Sequence, residues 1–199
     1  FDPSPENIEK RTTRFTLNEG LKVSFLPKKT RGEAVQLKLT LRYGSEESLK
    51  NLATLTEFLP AMMTRGTAEL SRQQLQDLLD KNFAQLTATS QQPGEITFSL
   101  QTKRPQLPAA MKLLHQVLRT PSLPDDELEL LKNETISSIE QQLTEPTVLA
   151  QNAAQRAVSP YGKGHPLYKA TLSEEIDLAK AVSLTDLKSL YQNFIGASH

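Results

Sequence analysis

Three histidines, His115, His165 and His199, are the only imidazoles in this 199-residue chain, and no two lie closer than 34 positions. A helix that binds a metal through imidazoles needs them one turn apart, so that two nitrogens face the same ion. The three have no such spacing. His115 borders a Leu114/Leu118 stripe, which predicts a structural or surface role; His165, between Gly164 and Pro166, predicts a turn; His199 is the last residue. The absence of Cys excludes disulfides, thiolate metal sites and Cys nucleophiles, and leaves the redox compartment open. The adjacent carboxylates Asp125/Asp126 and Glu174/Glu175 suit the first turns of helices, where negative charge complements the dipole, better than an acid/base pair. Gly162-Lys163-Gly164 lacks both the G-x-x-x-x-G-K-[ST] spacing and a preceding strand, so it predicts a solvated turn rather than a phosphate cradle. Lys28, Lys29 and Arg31 have no aromatic residues interleaved with them and read as a loop kept in water by charge.

The elements that must position these side chains follow from composition and period. Lys and Arg number 23 against 23 Asp and Glu, a net charge of zero that leaves no electrostatic footprint for nucleic acid or an anionic membrane. No apolar run approaches the roughly 18 residues that span a bilayer. Leu, at 32, outnumbers Ile plus Val, at 12, so helix is expected to exceed sheet.

Residues 1–11, with two prolines and no periodicity, read as a linker following something else, and residues 12–199 as a single α+β domain. Phe15 and Leu17 against Leu21, Val23 and Phe25, around Asn18-Glu19-Gly20, predict a hairpin. Val35, Leu37, Leu39 and Leu41 alternate with polar residues, predicting a strand with one wet face. Leu49, Leu52, Leu55, Leu59, Met62 and Met63 then recur at helical spacing, with Pro60 removing one backbone bond. A second helix is expected from Ser71, whose S-x-x-Q spacing to Gln74 is a capping box. Strands are expected over residues 83–89 and 95–102, joined across Gln92-Pro93-Gly94. Helices follow: one with Leu107, Met111, Leu114 and Leu118, one with Leu128 to Leu143, one opened by Pro146, one entered at Ser173, and one entered at Ser183 with Leu187, Leu190, Tyr191 and Phe194. The predicted fold class is α+β, an antiparallel-rich mixed sheet with helices packed on one face.

The order of these pieces resembles the pitrilysin/insulinase-type zinc metallopeptidases. Residues 13–27 (TRFTLNEGLKVSFLP) are similar to that family's opening hairpin, and residues 42–45 (RYGS), 51–57 (NLATLTE), 62–67 (MMTRGT), 123–131 (LPDDELELL) and 184–191 (LTDLKSLY) follow in family order. The resemblance covers roughly residues 12–194 and implies a domain similar to the metallohydrolase domain of processing peptidases.

Active members carry His-x-x-Glu-His on the first long helix: two histidines hold zinc, the Glu activates its water, and a further Glu about 75 residues on completes the site. Aligning residues 51–54 with the family's Gly-Leu-Ala-His sets Thr54 and Phe58 at the histidine positions, Glu57 at the base position and Glu134 at about the last ligand. Aligning backward from Arg65-Gly66-Thr67 instead sets Glu57, Pro60 and Ala61 at the three motif positions. Neither register supplies an imidazole, and Glu57 and Glu134 then read as ordinary helix carboxylates. The resemblance therefore implies the metal-free half of a long bacterial zinc protease, or one subdomain of it. No catalytic residue and no cofactor are expected in this chain. Zinc is expected in a catalytic half elsewhere, on the same protein or a partner subunit, with peptide as substrate and, from resemblance alone, a periplasmic or envelope location. A non-enzymatic assembly subunit, as in the core proteins of respiratory complexes, and an interaction module sharing only the fold are the alternatives.

Overall fold

The computed structural model describes residues 2–17 and 20–195, which fall into two compact units, Phe1–Ala34 and Val35–His199. The division lies inside the stretch expected to form one domain from Thr12.

In the first unit, the expected linker carries a helix, α1 (Pro5–Arg11), with Pro at its start, Glu6 in the first turn, and Lys10 and Arg11 in the last. Proline preset for the first turn and charges matched to the dipole outweigh the missing apolar period. An antiparallel pair follows, β1 (Thr13–Thr16) with β2 (Lys22–Phe25), in the register Phe15 opposite Val23. Gly20 has φ +80°, as the predicted turn requires, while Asn18 and Glu19 lie outside the described residues. Arg14 donates two bonds to Glu9, at 2.6 and 2.7 Å, and Arg11 donates to the Pro27 carbonyl at 2.9 Å.

The second unit is built on a three-stranded sheet in the order β3 (Ala34–Arg42), β5 (Glu95–Lys103), β4 (Gln85–Thr89). β4 and β5 are antiparallel, with Leu86 opposite Leu100. Between β3 and β5, the Tyr43 amide donates to the Gly94 carbonyl, Arg42 reaches Glu95 and Thr40 meets Thr97. One number rises as the other falls, so this pair is antiparallel too. The strands alternate as their sequences do: Ile96, Phe98 and Leu100 are buried, with Leu37, Leu39, Leu41, Leu86 and Ala88 packed beside them. Thr40, Arg42, Thr97 and Gln101 stand on the opposite, polar face. At the turn before β5, Gly94 takes φ +82°, and a Cβ there would meet the Tyr43 carbonyl at 2.7 Å, so both the turn and the close strand approach require glycine.

Helices α2 (Ala53–Met63), α3 (Arg72–Lys81), α4 (Leu107–Arg119), α5 (Asp125–Gln142), α6 (Pro146–Val158), α7 (Leu172–Ala181) and α8 (Leu184–Phe194) complete the unit. α2 packs on β4 and α8, and α4 on β5, so Leu59, Met62, Met63, Val117 and Leu187 join Phe98 in one core. α5 packs on α7 around a second cluster, Ile139, Leu172 and Ile176. The apolar period that begins at Leu49 holds, with Leu49 buried, but residues 47–51 form turns and the helix starts only at Ala53. The reason is Asn51, which takes φ +62° and breaks the helical path. Pro60 lies inside α2, as the sequence implied. α3 carries the predicted capping box, the Gln74 amide donating to Ser71 Oγ at 3.3 Å and the Ser71 amide to Gln74 Oε1 at 2.9 Å. α7 is capped by Thr171, two residues before the expected Ser173, because Thr171 and Glu174 form a capping box of their own. Among the described residues no helix is long and apolar enough to cross a membrane.

Candidate functional site

The start of α2, the middle of α5, residues 163–170 and α7 line an open cavity of about 550 Å³. Thr54, Glu57 and Phe58 enter it together, because positions i, i+3 and i+4 share one face of a helix. α5 contributes Thr135 and Ile139, four residues apart on one face. The loop supplies Lys163, Gly164, His165, Tyr168 and Lys169, and α7 supplies Glu174, Glu175, Asp177 and Leu178. The loop comes close to α2 through Gly164, whose carbonyl accepts the Asn51 amide at 2.8 Å. Gly164 has φ +91°, and a Cβ there would lie 2.6 Å from Asn51 Oδ1, so glycine is needed for the loop to close on the helix start.

Glu134 is elsewhere. Its carboxylate accepts from Arg65 Nη2 at 2.7 Å, while Arg65 Nη1 donates to Glu127 at 2.8 Å and Arg72 adds a further 2.8 Å bond to Glu127. One step along a helix turns the side chain by roughly 100°, so Thr135, not Glu134, shares the cavity with Thr54, Glu57 and Phe58. In the other register Pro60 is enclosed in the core, and neither it nor Ala61 lines the cavity.

The charged groups are mostly paired. Lys163 Nζ donates to Glu174 at 3.1 Å, Tyr168 Oη donates to Glu174 at 3.1 Å, and Lys169 Nζ donates to Glu175 at 2.9 Å. The Thr171 backbone amide, then Lys163 and Tyr168, hold the Glu174 carboxyl down at about 2. Both nitrogens of His165 are engaged: Nδ1 accepts the Leu167 amide at 3.0 Å and Nε2 lies 2.8 Å from Glu46, while Tyr161 stacks on the ring at 4.1 Å. The accepting Nδ1 leaves the proton on Nε2, which donates to the carboxylate. Glu57 is different. Its carboxyl is pushed up from the ordinary carboxylate range, first by desolvation between the cavity walls and then by the nearby charge of Glu175, with Lys169 partly opposing.

These residues do not fit a zinc ion. Thr54 and Thr135 offer hydroxyls, which are poor ligands, Phe58 offers none, and the ammonium of Lys169 brings positive charge to the same space. Among the described residues no group of three His, Cys, Asp or Glu could hold a metal ion. The other sequence candidates lie apart from the cavity or have local roles. His115 is exposed on α4, Asp125 and Asp126 stand in the first turn of α5, Glu174 belongs to a helix cap, and His199 lies outside the described residues. Thr135 and Lys169 were missed by sequence reasoning. The phase of α5, with Ile139 facing the second core cluster four residues after Thr135, carries the signal for the first; nothing local marks the second.

No match was found among curated proteins. Among solved structures, the chain is similar to the peptidase M16 inactive domain from Pseudomonas fluorescens, with TM-score 0.76 and 21% identity over 90% of this chain and 42% of that one. A protease from Helicobacter pylori gives TM-score 0.70 and 16% identity over 90% and 42%. Pitrilysin gives 0.66 and 18% over 92% and 20%. The chain thus spans less than half the length of these structures, and the likeness at such identities is one of fold. Residues 24–171 match the sequence profile of the insulinase family, peptidase family M16, and this chain belongs to that family.

Proposed function

We propose that this chain is a non-catalytic domain of a larger M16 protein, a scaffold and wall of the chamber in which a zinc-bearing half, on the same protein or a partner subunit, cuts peptide. The single observation that carries the reading is the donor set on the α2 face: Thr54 and Phe58 with Thr135 opposite, beside the ammonium of Lys169. That set can neither hold zinc nor activate a water for Glu57 to deprotonate. The fold shared with a Pseudomonas fluorescens domain described as inactive supports it. β3 and β4 are the outer strands of the sheet, and a nine-residue strand such as β3 suits pairing with an extended peptide.

Peptide hydrolysis tests the reading. The chain alone, supplied with zinc and an unstructured peptide, is expected to give no chelator-sensitive cleavage, and cleavage is expected only when a zinc-bearing half is added. Chelator-sensitive turnover by the chain alone, abolished by Glu57→Gln, would overturn it.

A further inference from the structure

We propose that the cavity between α2, α5 and α7 is a subsite for the cationic head of a lysine or arginine side chain of a bound peptide, with Glu57 as its counter-charge. The inference rests on the chamber-wall reading, to which it adds a preference for one kind of residue.

The argument starts from charge. Four carboxylates line the cavity, Glu57, Glu174, Glu175 and Asp177, against two ammonium groups, Lys163 and Lys169. The ammonium groups are used within the protein, Lys163 on Glu174 and Lys169 on Glu175, and His165 donates to Glu46. Glu57 and Asp177 remain, among the described residues, without a bonded cation, and both are exposed; the charge of Asp177 acts on Lys163, whereas at Glu57 the charge of Glu175 outweighs that of Lys169. Glu57 is therefore the carboxylate that combines access from the cavity with incomplete compensation of its charge. Glu57 and its neighbour Phe58 line the same cavity, so a charged partner reaching this exposed carboxylate from the cavity side passes apolar surface, where water competes less for the pair than in bulk solvent.

Shape narrows the class. Beside Glu57 stand Phe58, Ile139, Leu178 and Ala179, which offer apolar surface to a hydrocarbon stem. A cavity of about 550 Å³ admits a long side chain, and its lining sets apolar surface beside charged and polar groups. A bare metal ion would find Glu174 and Glu175 already held by lysines and, among the described residues, no group of three His, Cys, Asp or Glu to hold it, and an anion would meet excess negative charge. A cation on a flexible apolar stem satisfies both the charge and the walls.

Titration of the isotopically labelled 199-residue chain, followed by NMR at the Thr54, Thr135 and Leu178 amides, tests the assignment without any cleavage reaction, so failure of the chamber-wall reading leaves its result interpretable. Nα-acetyl-lysine amide and Nα-acetyl-arginine amide are expected to give saturable shifts at these three positions. Nα-acetyl-norleucine amide, with the stem but no charge, is expected to bind at least about tenfold more weakly, and so is acetyl-lysine amide to Glu57→Gln. Equal affinity for the norleucine compound, or unchanged affinity in Glu57→Gln, would overturn the proposal; if that variant fails to fold, the norleucine comparison on the native chain decides alone. Leucine amide, whose charge is an α-amine, is expected to be weaker than acetyl-lysine amide, and binding as tight as the lysine probe would overturn the side-chain assignment in favour of a peptide amino terminus.

Discussion

Two clusters of charge flank α5, and they treat their carboxylates in opposite ways. On one side Arg65, itself buried, holds Glu127 and Glu134 at once while Arg72 adds to Glu127, so each acid has a cation. On the other, the cavity pairs Glu174 with Lys163 and Glu175 with Lys169 but leaves Glu57 without a bonded partner. Adjacent residues of one helix, Glu134 and Thr135, face the two sides. A cluster whose charges close on themselves ties elements together, whereas one that leaves a carboxylate facing an open cavity retains capacity for something outside the chain.

The contrast predicts unequal costs. Arg65→Met is expected to be the most damaging change, about 3 kcal/mol by denaturant unfolding, because it removes a buried guanidinium that holds two acids of α5, leaving Glu127 with Arg72 alone and Glu134 without its cation. A cost below about 1 kcal/mol would mean that the Arg65 cluster holds nothing together. The next largest effect should come from rebuilding the motif the resemblance implies in the register that sets Thr54 and Phe58 at the histidine positions: Thr54→His with Phe58→His and Thr135→Glu is expected to gain about 2.7 kcal/mol at a zinc concentration a hundredfold above its Kd. Thr54→His with Phe58→His alone should gain far less, since Glu134 is held by Arg65. Equal gains would show that Glu134, rather than the Thr135 position, faces the metal.

Smaller effects sharpen the cavity side. Lys169→Met should cost under about 1 kcal/mol, since its pair with Glu175 is partly open to water. Glu57→Gln should be slightly stabilising at neutral pH, within about 0.5 kcal/mol. The sign follows from linkage: a carboxyl raised in the folded state favours folding when protonated, and that advantage, full below its ordinary 4.5, is lost as pH rises. The advantage of the Gln variant should therefore vanish in thermal melts below about pH 4.5. The carboxyl of Glu174 is shifted the other way, to about 2, so its contribution to the start of α7 is present above 4.5 and fades as pH falls toward 2. Amide exchange in that first turn should accelerate over this window in the native chain and show no such step in Glu174→Gln.

Periodicity carried most of the fold. The alternation from Val35 to Leu41, the Ser71/Gln74 capping box and the stripe through Leu187 and Leu190 each became the expected element, because local pattern and burial agree there. It misled where backbone geometry or a competing cap decided: Asn51 delayed α2, Thr171 advanced α7, and a short helix formed at Pro5 without an apolar face. The site was half legible. Thr54, Glu57 and Phe58 meet because they share a helix face, which spacing encodes. That Thr135 meets them and Glu134 does not depends on how α5 is rotated against Arg65, a contact 69 residues away in sequence. Lys169 reaches the same cavity through a loop whose path local sequence does not encode.

The central claim is that the α2 face bearing Thr54, Glu57 and Phe58, which the resemblance aligns with the zinc motif in one register, does not bind zinc. The most direct measurement is a zinc isotherm of the purified 199-residue chain at neutral pH, by calorimetry with metal content checked after dialysis. The account predicts no stoichiometric site and no change when Glu57 is replaced by Gln. One tight zinc per chain, lost on Glu57→Gln or Thr54→Ala, would contradict it.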